Sequence, residues 1–111
     1  MTVYLYDSQG MWIAYRLDHR ARHLFAPDGD WIGWFAWDDD DAVTPAGEYL
    51  GTVVGDRLLI RVDRAFRGTP DYPGAPTYPG RASYPGAAPF VSVPPGFDDV
   101  PGAHLRSRLT P

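Results

Sequence analysis

The sequence predicts an all-β fold, a small pseudo-fourfold arrangement of β-hairpin repeats of about 19 residues followed by a Pro/Gly-rich extended tail. Three observations support this prediction. Gly10, Gly29 and Gly47 recur at nearly equal spacing. Turn-forming residues precede each glycine, and a segment with the period-2 alternation of a β-strand follows it. A period of about 20 residues is typical of repeat architectures.

The positions after the three glycines match in chemical type. A large aromatic residue stands two positions beyond each glycine, then a branched aliphatic residue, then a very small one. The matching sets are Trp12, Trp31 and Tyr49; Ile13, Ile32 and Leu50; Ala14, Gly33 and Gly51. Strict alternation places Trp31, Gly33 and Phe35 on one face of a strand and Ile32 and Trp34 on the other.

The residues before each glycine predict a hairpin turn. Segments 7–10, 26–29 and 44–47 end in glycine, and two of them carry proline in second place. Proline presets φ for a type I turn, and the final glycine can adopt the left-handed conformation that rejoins the next strand as a bulge.

A fourth copy begins with the apolar run at residues 57–62, but no complete hairpin follows it. Residues 63–68 end in glycine and lack the Trp-Ile-Gly strand beyond. We therefore expect three full hairpins and one degenerate hairpin in a domain covering residues 1–66.

Residues 67–111 form a tail of different composition, rich in Pro, Gly and Tyr. Three Tyr-Pro-Gly units repeat every six residues, at Tyr72, Tyr78 and Tyr84. Such segments are extended or form turns, and they dock well on aromatic surfaces because they lose little entropy. We expect the tail to dock on the domain or on a partner chain, anchored by these tyrosines and Phe90. The β-prone segment 90–93 is expected to add an edge strand beside the incomplete fourth hairpin.

The segments LYDSQGMWIAY, DGDWIGWF and GEYLGTVVGDRL, with VPPGFDD in the tail, resemble the 4-fold beta flower domains of uncharacterised bacterial proteins. The resemblance covers residues 2–62 strongly and the tail loosely. It implies a small all-β domain of hairpins with pseudo-fourfold symmetry, and no established activity. This chain differs from the family pattern in its fourth copy.

Composition bounds the classes of function. The net charge is −4, and most of the negative charge lies in the hairpin domain, so the basic surface that nucleic-acid binding needs is not expected. The sequence has no cysteine, which excludes disulfides and thiolate zinc sites. No apolar run reaches the roughly 18 residues of a membrane span. We expect a cytoplasmic protein with no cofactor and no bound metal.

Two equivalent loops carry opposite charge. Residues 17–23 contain two arginines between His19 and His23, whereas residues 38–41 are four aspartates. The charges could attract each other or the acidic run could bind calcium, but two solvated turns are the simplest interpretation. Calcium needs about 6 to 8 oxygens around one point, which four consecutive aspartates on a short connection do not supply.

No catalytic constellation is recognisable, and Asp28 and Asp30 are expected to bond local backbone in their turn. A non-enzymatic binding or scaffolding module, acting on a protein partner or by self-association, for example as a homodimer that exchanges tails, is the leading hypothesis. The alternative is an aromatic-lined binder of carbohydrate or choline-like ligands. Its candidate ligand-binding residues are Trp12, Trp31, Trp34 and Tyr49.

Overall fold

The computed structural model describes residues 1–63 and 65–105, without the side chain of Ala103. Arg64 and the last six residues of the tail lie outside the described part. The fold is all-β, as predicted, with one short 3-10 helix at Gly102–Leu105. The strands are β1 (Val3–Tyr6), β2 (Trp12–Arg16), β3 (His23–Phe25), β4 (Trp31–Trp34), β5 (Asp41–Val43), β6 (Tyr49–Val54), β7 (Arg57–Arg61) and β8 (Phe97–Asp99).

The first seven strands form a closed barrel. Consecutive strands pair antiparallel from β1 to β7, and β1 closes the ring by pairing with β7 in parallel at Tyr6 and Arg57. The Tyr6 N–H donates to the Asp56 carbonyl oxygen over 2.9 Å. The buried Arg57 guanidinium supports this seam, because its Nη1 donates to the Asp7 carbonyl oxygen at 3.0 Å.

The three predicted turns are confirmed, and they are alike. The glycine N–H donates to the carbonyl oxygen three residues earlier in each, as from Gly10 to Asp7 at 3.1 Å. The φ angles of Gly10, Gly29 and Gly47 are 88°, 92° and 91°, in the left-handed region that favours glycine. The register shifts by a bulge on the strand after each turn, where Ile13, Ile32 and Leu50 are the extra residues. Local turn chemistry therefore sets the hairpin geometry in all three copies.

The barrel interior is filled by one apolar side chain from each of its seven strands. These side chains form the central cluster together with Ala26, Phe35 and Val100. All seven strand side chains are buried to 1% exposure or less, which makes this layer the core of the fold. They are Leu5, Ala14, Leu24, Ile32, Ala42, Leu50 and Leu58.

A second apolar cluster, the aromatic cluster, lies on the other face of strands β1 to β5. Its buried members are Tyr15, Phe25, Trp31, Trp34 and Val43. In β3 and β5, adjacent residues belong to different clusters: Leu24 and Ala42 lie in the central cluster, Phe25 and Val43 in the aromatic cluster. This is expected because successive side chains of a strand point to opposite faces. The barrel wall is thus apolar on both faces over this half, so its outer face needs a cover.

The expected alternation in β4 is wrong at its end. Trp31 and Trp34 belong to the same aromatic cluster, whereas Ile32 and Phe35 pack in the central cluster. A bulge in β4 itself explains the change, because the extra residue Ile32 shifts the alternation of the residues that follow it. Phe35 also lies beyond the end of β4, where the pleat no longer determines its direction.

The fourth hairpin is replaced by a pair of strands from distant parts of the chain. β7 pairs antiparallel with β8, from Leu59 opposite Asp99 to Arg61 opposite Phe97. The expectation that 90–93 supplies this edge strand is wrong, since the Val91 N–H instead donates to the Ser8 carbonyl oxygen. A turn at residues 94–97 reverses the chain so that the next segment, β8, meets β7.

Residues 65–96, which we call the strap, pass over the three hairpin turns in reverse order. A Cβ on Gly47 would lie 2.6 Å from Thr69 and 3.0 Å from the Pro70 oxygen, and one on Gly29 would lie 2.7 Å from the Gly80 oxygen. A Cβ on Gly10 would lie only 1.8 Å from the Ala88 oxygen. The strap therefore leaves β7, crosses the third, second and first hairpins, and returns to β7 as β8.

The glycines of the three Tyr-Pro-Gly units share one backbone conformation. Gly74, Gly80 and Gly86 have φ angles of 85°, 81° and 87°. Proline followed by a glycine with positive φ is the signature of a type II turn. Residues 65–94 nevertheless contain no turn or bend, so the strap is an irregular extended segment with a positive-φ glycine every six residues across these units.

Candidate binding surfaces

The four aromatic residues predicted to bind a ligand are not arranged as an open cage. Trp31 and Trp34 are 8% and 9% exposed, and both belong to the aromatic cluster. Trp12 and Tyr49 are half-buried. Trp12 packs against the same cluster, whereas Tyr49 lies beyond it on β6. The structure thus brings three of the four together, in a packed layer.

The indole N–H groups of two tryptophans bond to their own strands. Trp12 Nε1 donates to the Ala14 carbonyl oxygen and Trp31 Nε1 to the Gly33 carbonyl oxygen, both over 2.8 Å. The absence of a side chain at Gly33 makes room for the neighbouring strand, since a Cβ there would lie 2.6 Å from the Val43 oxygen and 2.8 Å from Leu50. Trp34 differs, since its buried Nε1 has no hydrogen-bond partner among the described residues. The Arg22 guanidinium lies 5.3 Å from the centre of the Trp34 ring.

Tyr49 takes part in a hydrogen-bond network instead of the aromatic cluster. The Thr52 hydroxyl donates to Asp41 Oδ1 at 2.7 Å, so its oxygen accepts the Tyr49 O–H, 2.6 Å away. Tyr49 in turn accepts the Arg61 N–H over 3.0 Å. Arg67 Nη1, at the start of the strap, binds the other Asp41 oxygen at 2.8 Å. Buried polar groups are well tolerated when they are bonded in this way.

The strap lies against the aromatic cluster through small groups and through the edges of its own rings. Ala82 packs on the cluster, and the Tyr15 hydroxyl donates to the Gly80 carbonyl oxygen at 2.7 Å. The Tyr72 ring centre lies 5.7 Å from that of Trp31, and the Tyr84 ring centre lies 6.0 Å from that of Trp12. Burial raises the pKa of the Tyr15 hydroxyl, with smaller contributions from Tyr78 and other neighbours.

Most of each strap ring nevertheless faces away from the barrel. The four predicted anchors, Tyr72, Tyr78, Tyr84 and Phe90, are 56%, 61%, 70% and 63% exposed. Phe66, another six residues earlier, is 81% exposed. Tyr72 and Tyr84 still pack against tryptophans, and the Tyr78 hydroxyl donates to the Asp28 carbonyl oxygen at 2.8 Å. All five side chains are nevertheless more than half exposed and form a series along the strap. We call these five side chains the strap rings.

The six-residue period was recognised for the three tyrosines, but its extension to Phe66 and Phe90 was missed. The sequence shows it once phenylalanine and tyrosine are treated as one class, because Phe66 and Phe90 extend the tyrosine series at both ends.

A second surface lies between the two oppositely charged loops. The β2–β3 loop and the β4–β5 loop enclose a cleft of about 490 Å³. Backbone bonds fix the loops, since the Phe35 N–H donates to the Arg22 carbonyl oxygen at 2.7 Å and the Val53 N–H to the Asp40 carbonyl oxygen at 2.9 Å. The cleft is lined by Arg16, His19, Arg20, Arg22, Phe35, Asp38, Asp39 and Asp40.

Two of the three arginines of this cleft, Arg16 and Arg22, are held by carbonyl oxygens. Arg16 donates from Nε and Nη2 to the Ala21 carbonyl oxygen, at 3.0 and 2.5 Å, and its guanidinium lies 4.1 Å from the centre of the Phe35 ring. Arg22 Nη2 donates to the Ala36 carbonyl oxygen at 3.0 Å. Burial lowers the pKa of the Arg16 guanidinium, although Asp18 and other carboxylates oppose this effect.

The expected attraction between the loops does not take the form of ion pairs. Within residues 1–63 and 65–105, no carboxylate oxygen lies within 4 Å of a guanidinium nitrogen of Arg16, Arg20 or Arg22. Among the aspartates, Asp39 pairs at 2.7 Å with Arg67 of the strap. Asp38 has a φ of 60°, which is unusual for a residue with a side chain.

His19 lines the cleft, whereas His23 packs against Trp31, with ring centres 5.9 Å apart. Burial, and secondarily the charge of Arg22, lower the pKa of His23. The described residues contain no group of three or more side chains that could hold a metal ion. Asp28 accepts the Asp30 N–H at 3.0 Å, the local role that carboxylates have in turns.

Asp99 of β8 is a residue that sequence reasoning missed. Its carboxylate accepts two hydrogen bonds from Ser8 in the first turn, from the backbone N–H at 2.8 Å and from Oγ at 2.6 Å. Ser8 is buried, which makes this clasp a strong link between the end of the strap and the first hairpin. The local sequence around Asp99 does not indicate that this residue has a hydrogen-bond partner 91 residues away.

Comparisons with protein-family models, curated proteins and solved structures give no match. The resemblance to 4-fold beta flower domains therefore stays a prediction that rests on the quoted segments. No helix in the described part of the chain is long and apolar enough to span a membrane.

Proposed function

We propose that this protein is a binding module, not an enzyme, and that it recognises a protein partner through the strap rings. The observation that carries this proposal is the outward series Phe66, Tyr72, Tyr78, Tyr84 and Phe90, all more than half exposed. Exposed apolar side chains in a series commonly mark interaction surfaces. Tyrosine is well suited to this role because its ring is rigid and carries a polar hydroxyl.

The geometry of the strap favours binding because the strap is ordered before a partner arrives. The turn glycines contact strap backbone at Pro70, Gly80 and Ala88, and the last of these donates its N–H to Gly10 at 2.9 Å. A preordered surface avoids much of the entropy cost of association. A partner that covers one half-exposed ring completely gains about 2 to 4 kcal/mol before other costs, at roughly 25 cal/mol per Å².

The chemistry of the surface indicates an apolar contact. Residues 65–96 include only three charged side chains, Arg67, Asp71 and Arg81, and Arg67 is engaged by aspartates of the barrel. Charge therefore contributes little to recognition at the strap. We expect the affinity for the partner to change little between low and physiological salt.

The alternative, an aromatic-lined binder of carbohydrate or choline-like ligands, would need open ring faces at Trp12, Trp31, Trp34 and Tyr49. The burial of Trp31 and Trp34 supports a structural role for them. We also propose that the chain is related to the 4-fold beta flower domains, and the hairpin repeats support this. A cytoplasmic location is proposed as well, and the cysteine-free composition supports it.

The test compares wild type with a four-ring variant carrying Tyr72→Ser, Tyr78→Ser, Tyr84→Ser and Phe90→Ser. The matched control is Met11→Ser with Leu17→Ser, since these side chains are also exposed but lie outside the strap. Sedimentation velocity over a range of concentrations measures self-association, and quantitative affinity capture from extracts of the source cells measures other partners. Circular dichroism verifies that all three proteins are folded.

The proposal predicts a self-association or a defined partner that wild type and control share and that the four-ring variant loses. Complexes that the four-ring variant retains would contradict it, as would the absence of any complex. Quenching of tryptophan fluorescence by choline or muropeptides, without a protein complex, would favour the alternative.

A further inference from the structure

The cleft between the β2–β3 and β4–β5 loops is a second surface, independent of the strap rings. Its volume of about 490 Å³ is within the roughly 300 to 1,000 Å³ of sites for small molecules. One loop contributes guanidinium groups and the other contributes carboxylates. These charges do not neutralise each other through contact, so both walls keep hydrogen-bonding capacity directed to a guest.

The cationic wall is built around Arg16. Its Nε and Nη2 are occupied by the Ala21 carbonyl oxygen, and stacking on Phe35 fixes the guanidinium plane. Its Nη1 makes no hydrogen bond or ion pair with any described residue, and the exposed Arg20 side chain also lines the cleft without a carboxylate partner. An immobilised guanidinium with free donors is suited to a carboxylate or another small oxyanion.

The anionic wall is built around Asp38 and Asp40. Asp39 is paired with Arg67, but Asp38 and Asp40 have no ion pair within the described ranges. The left-handed conformation of Asp38, at φ 60°, is a backbone feature of a kind that is enriched at binding sites. Free carboxylates on this wall are suited to an ammonium group.

We propose that this cleft binds a small zwitterion, a molecule that carries both a carboxylate and an ammonium group, such as a free amino acid. A simple anion would be attracted by the arginines and repelled by the aspartates across the cleft. A simple cation would be attracted by the aspartates and repelled by the arginines. A zwitterion gains from both walls when its dipole is aligned with them. The carboxylate binds at Arg16 and Arg20, and the ammonium binds at Asp38 and Asp40.

Metal binding does not explain the cleft equally well. Three arginines line it, and their charge opposes a cation. The described residues also form no group with the ligands a metal needs.

The test is two-dimensional NMR titration of the full chain with a panel of free amino acids, and with acetate and methylammonium as single-charge probes. The expected result is that at least one amino acid shifts the signals of both cleft loops, with a Kd of about 1 mM or tighter. Acetate and methylammonium are expected to bind about tenfold more weakly or worse. Signals of the strap rings should not move, which distinguishes this site from the surface that they form.

Two variants test which wall of the cleft binds the ammonium group and which binds the carboxylate, and neither should disturb the fold. Asp38→Asn keeps a residue that tolerates left-handed φ, and Arg20→Gln removes an exposed guanidinium. Asp38→Asn should weaken amino-acid binding about tenfold while acetate binding is unchanged or stronger, and Arg20→Gln should weaken both. Arg61→Gln, outside the cleft, should have no effect.

The proposal is overturned if no member of the panel shifts the loop signals, or if acetate binds as tightly as the amino acids. It is also overturned if Asp38→Asn leaves amino-acid binding unchanged.

Discussion

Replacing Gly10 by alanine tests how the strap is held, because this substitution has two separable costs. The first is conformational, since Gly10 has a φ of 88° and a side chain is strained there by roughly 1 to 2 kcal/mol. The second is steric, since the new Cβ would lie 1.8 Å from the Ala88 oxygen, whereas ordinary van der Waals contacts begin at 3.4 Å. The Ala88 oxygen is a backbone atom, so the strap itself must move away to restore an ordinary contact.

Such a displacement breaks the hydrogen bond from the Ala88 N–H to the Gly10 carbonyl oxygen, now 2.9 Å long, and strains the neighbouring bond from Val91 to Ser8. Each bond contributes about 0.5 to 1.5 kcal/mol. The total expected loss is therefore about 2 to 4 kcal/mol in the free energy of unfolding. At roughly 4 to 8 °C per kcal/mol, the thermal midpoint should fall by about 8 to 32 °C.

The matched control is Gly55→Ala. Gly55 also has positive φ, at 64°, but nothing lies within 4 Å of a Cβ built there. It should lose only the conformational part, about 1 kcal/mol. Chemical denaturation of both variants gives the difference, which measures the strap contact. Equal losses in the two variants would refute this reasoning, because the strap would then contribute nothing at the first turn.

Buried polar groups give three further predictions. Asp99→Ala removes both oxygens that accept hydrogen bonds from Ser8, so the free energy of unfolding measured by denaturation should fall by about 2 to 3 kcal/mol. The control Asp30→Ala, at an exposed position, should lose almost nothing, and equal losses in the two variants would show that Asp99 does not stabilise the first turn. Thr52→Val keeps shape but removes the hydrogen bonds of the hydroxyl to Tyr49 and Asp41, so it should cost about 1 to 3 kcal/mol, and an unchanged denaturation midpoint would contradict the network. Because burial and Arg22 lower the pKa of His23 in the folded protein, the unfolded chain binds this proton more tightly, and stability should decrease as pH falls below about 6.5. The thermal midpoint should drop between pH of about 7.5 and 5.5 more in wild type than in His23→Gln, and equal drops would remove this contribution.

The hairpins could be predicted because their signals are local. A turn that needs positive φ selects glycine, as at Gly10, Gly29 and Gly47, and the bulge follows from the same turn chemistry. The strands after these turns carry enough aromatic and aliphatic residues to show their period. Their pleat was misjudged because each of these strands carries a bulge, and the extra residue, Ile13 in β2 and Ile32 in β4, shifts the alternation beyond it.

The closure of the sheet could not be predicted from local signals. β8 has three residues, too few to show a period, and its partner β7 lies on the other side of the strap. Docking of the strap depends largely on backbone groups, such as the Ala88 oxygen against Gly10, and these leave no side-chain signature. The two charged loops face each other across a cleft only because the barrel closes. Their proximity could therefore not be predicted from local sequence either.

The account depends most directly on the strap being bound to the barrel, and amide hydrogen exchange measured residue by residue by NMR tests this. Ala88 and Val91 N–H groups donate to Gly10 and Ser8, whereas no hydrogen bond from the Ala87 N–H is present among the described residues. Exchange at Ala88 and Val91 should be slowed at least about a hundredfold relative to Ala87, as expected for amides that open only with the strap. Exchange of all three amides at the rate of an unstructured peptide would contradict the account.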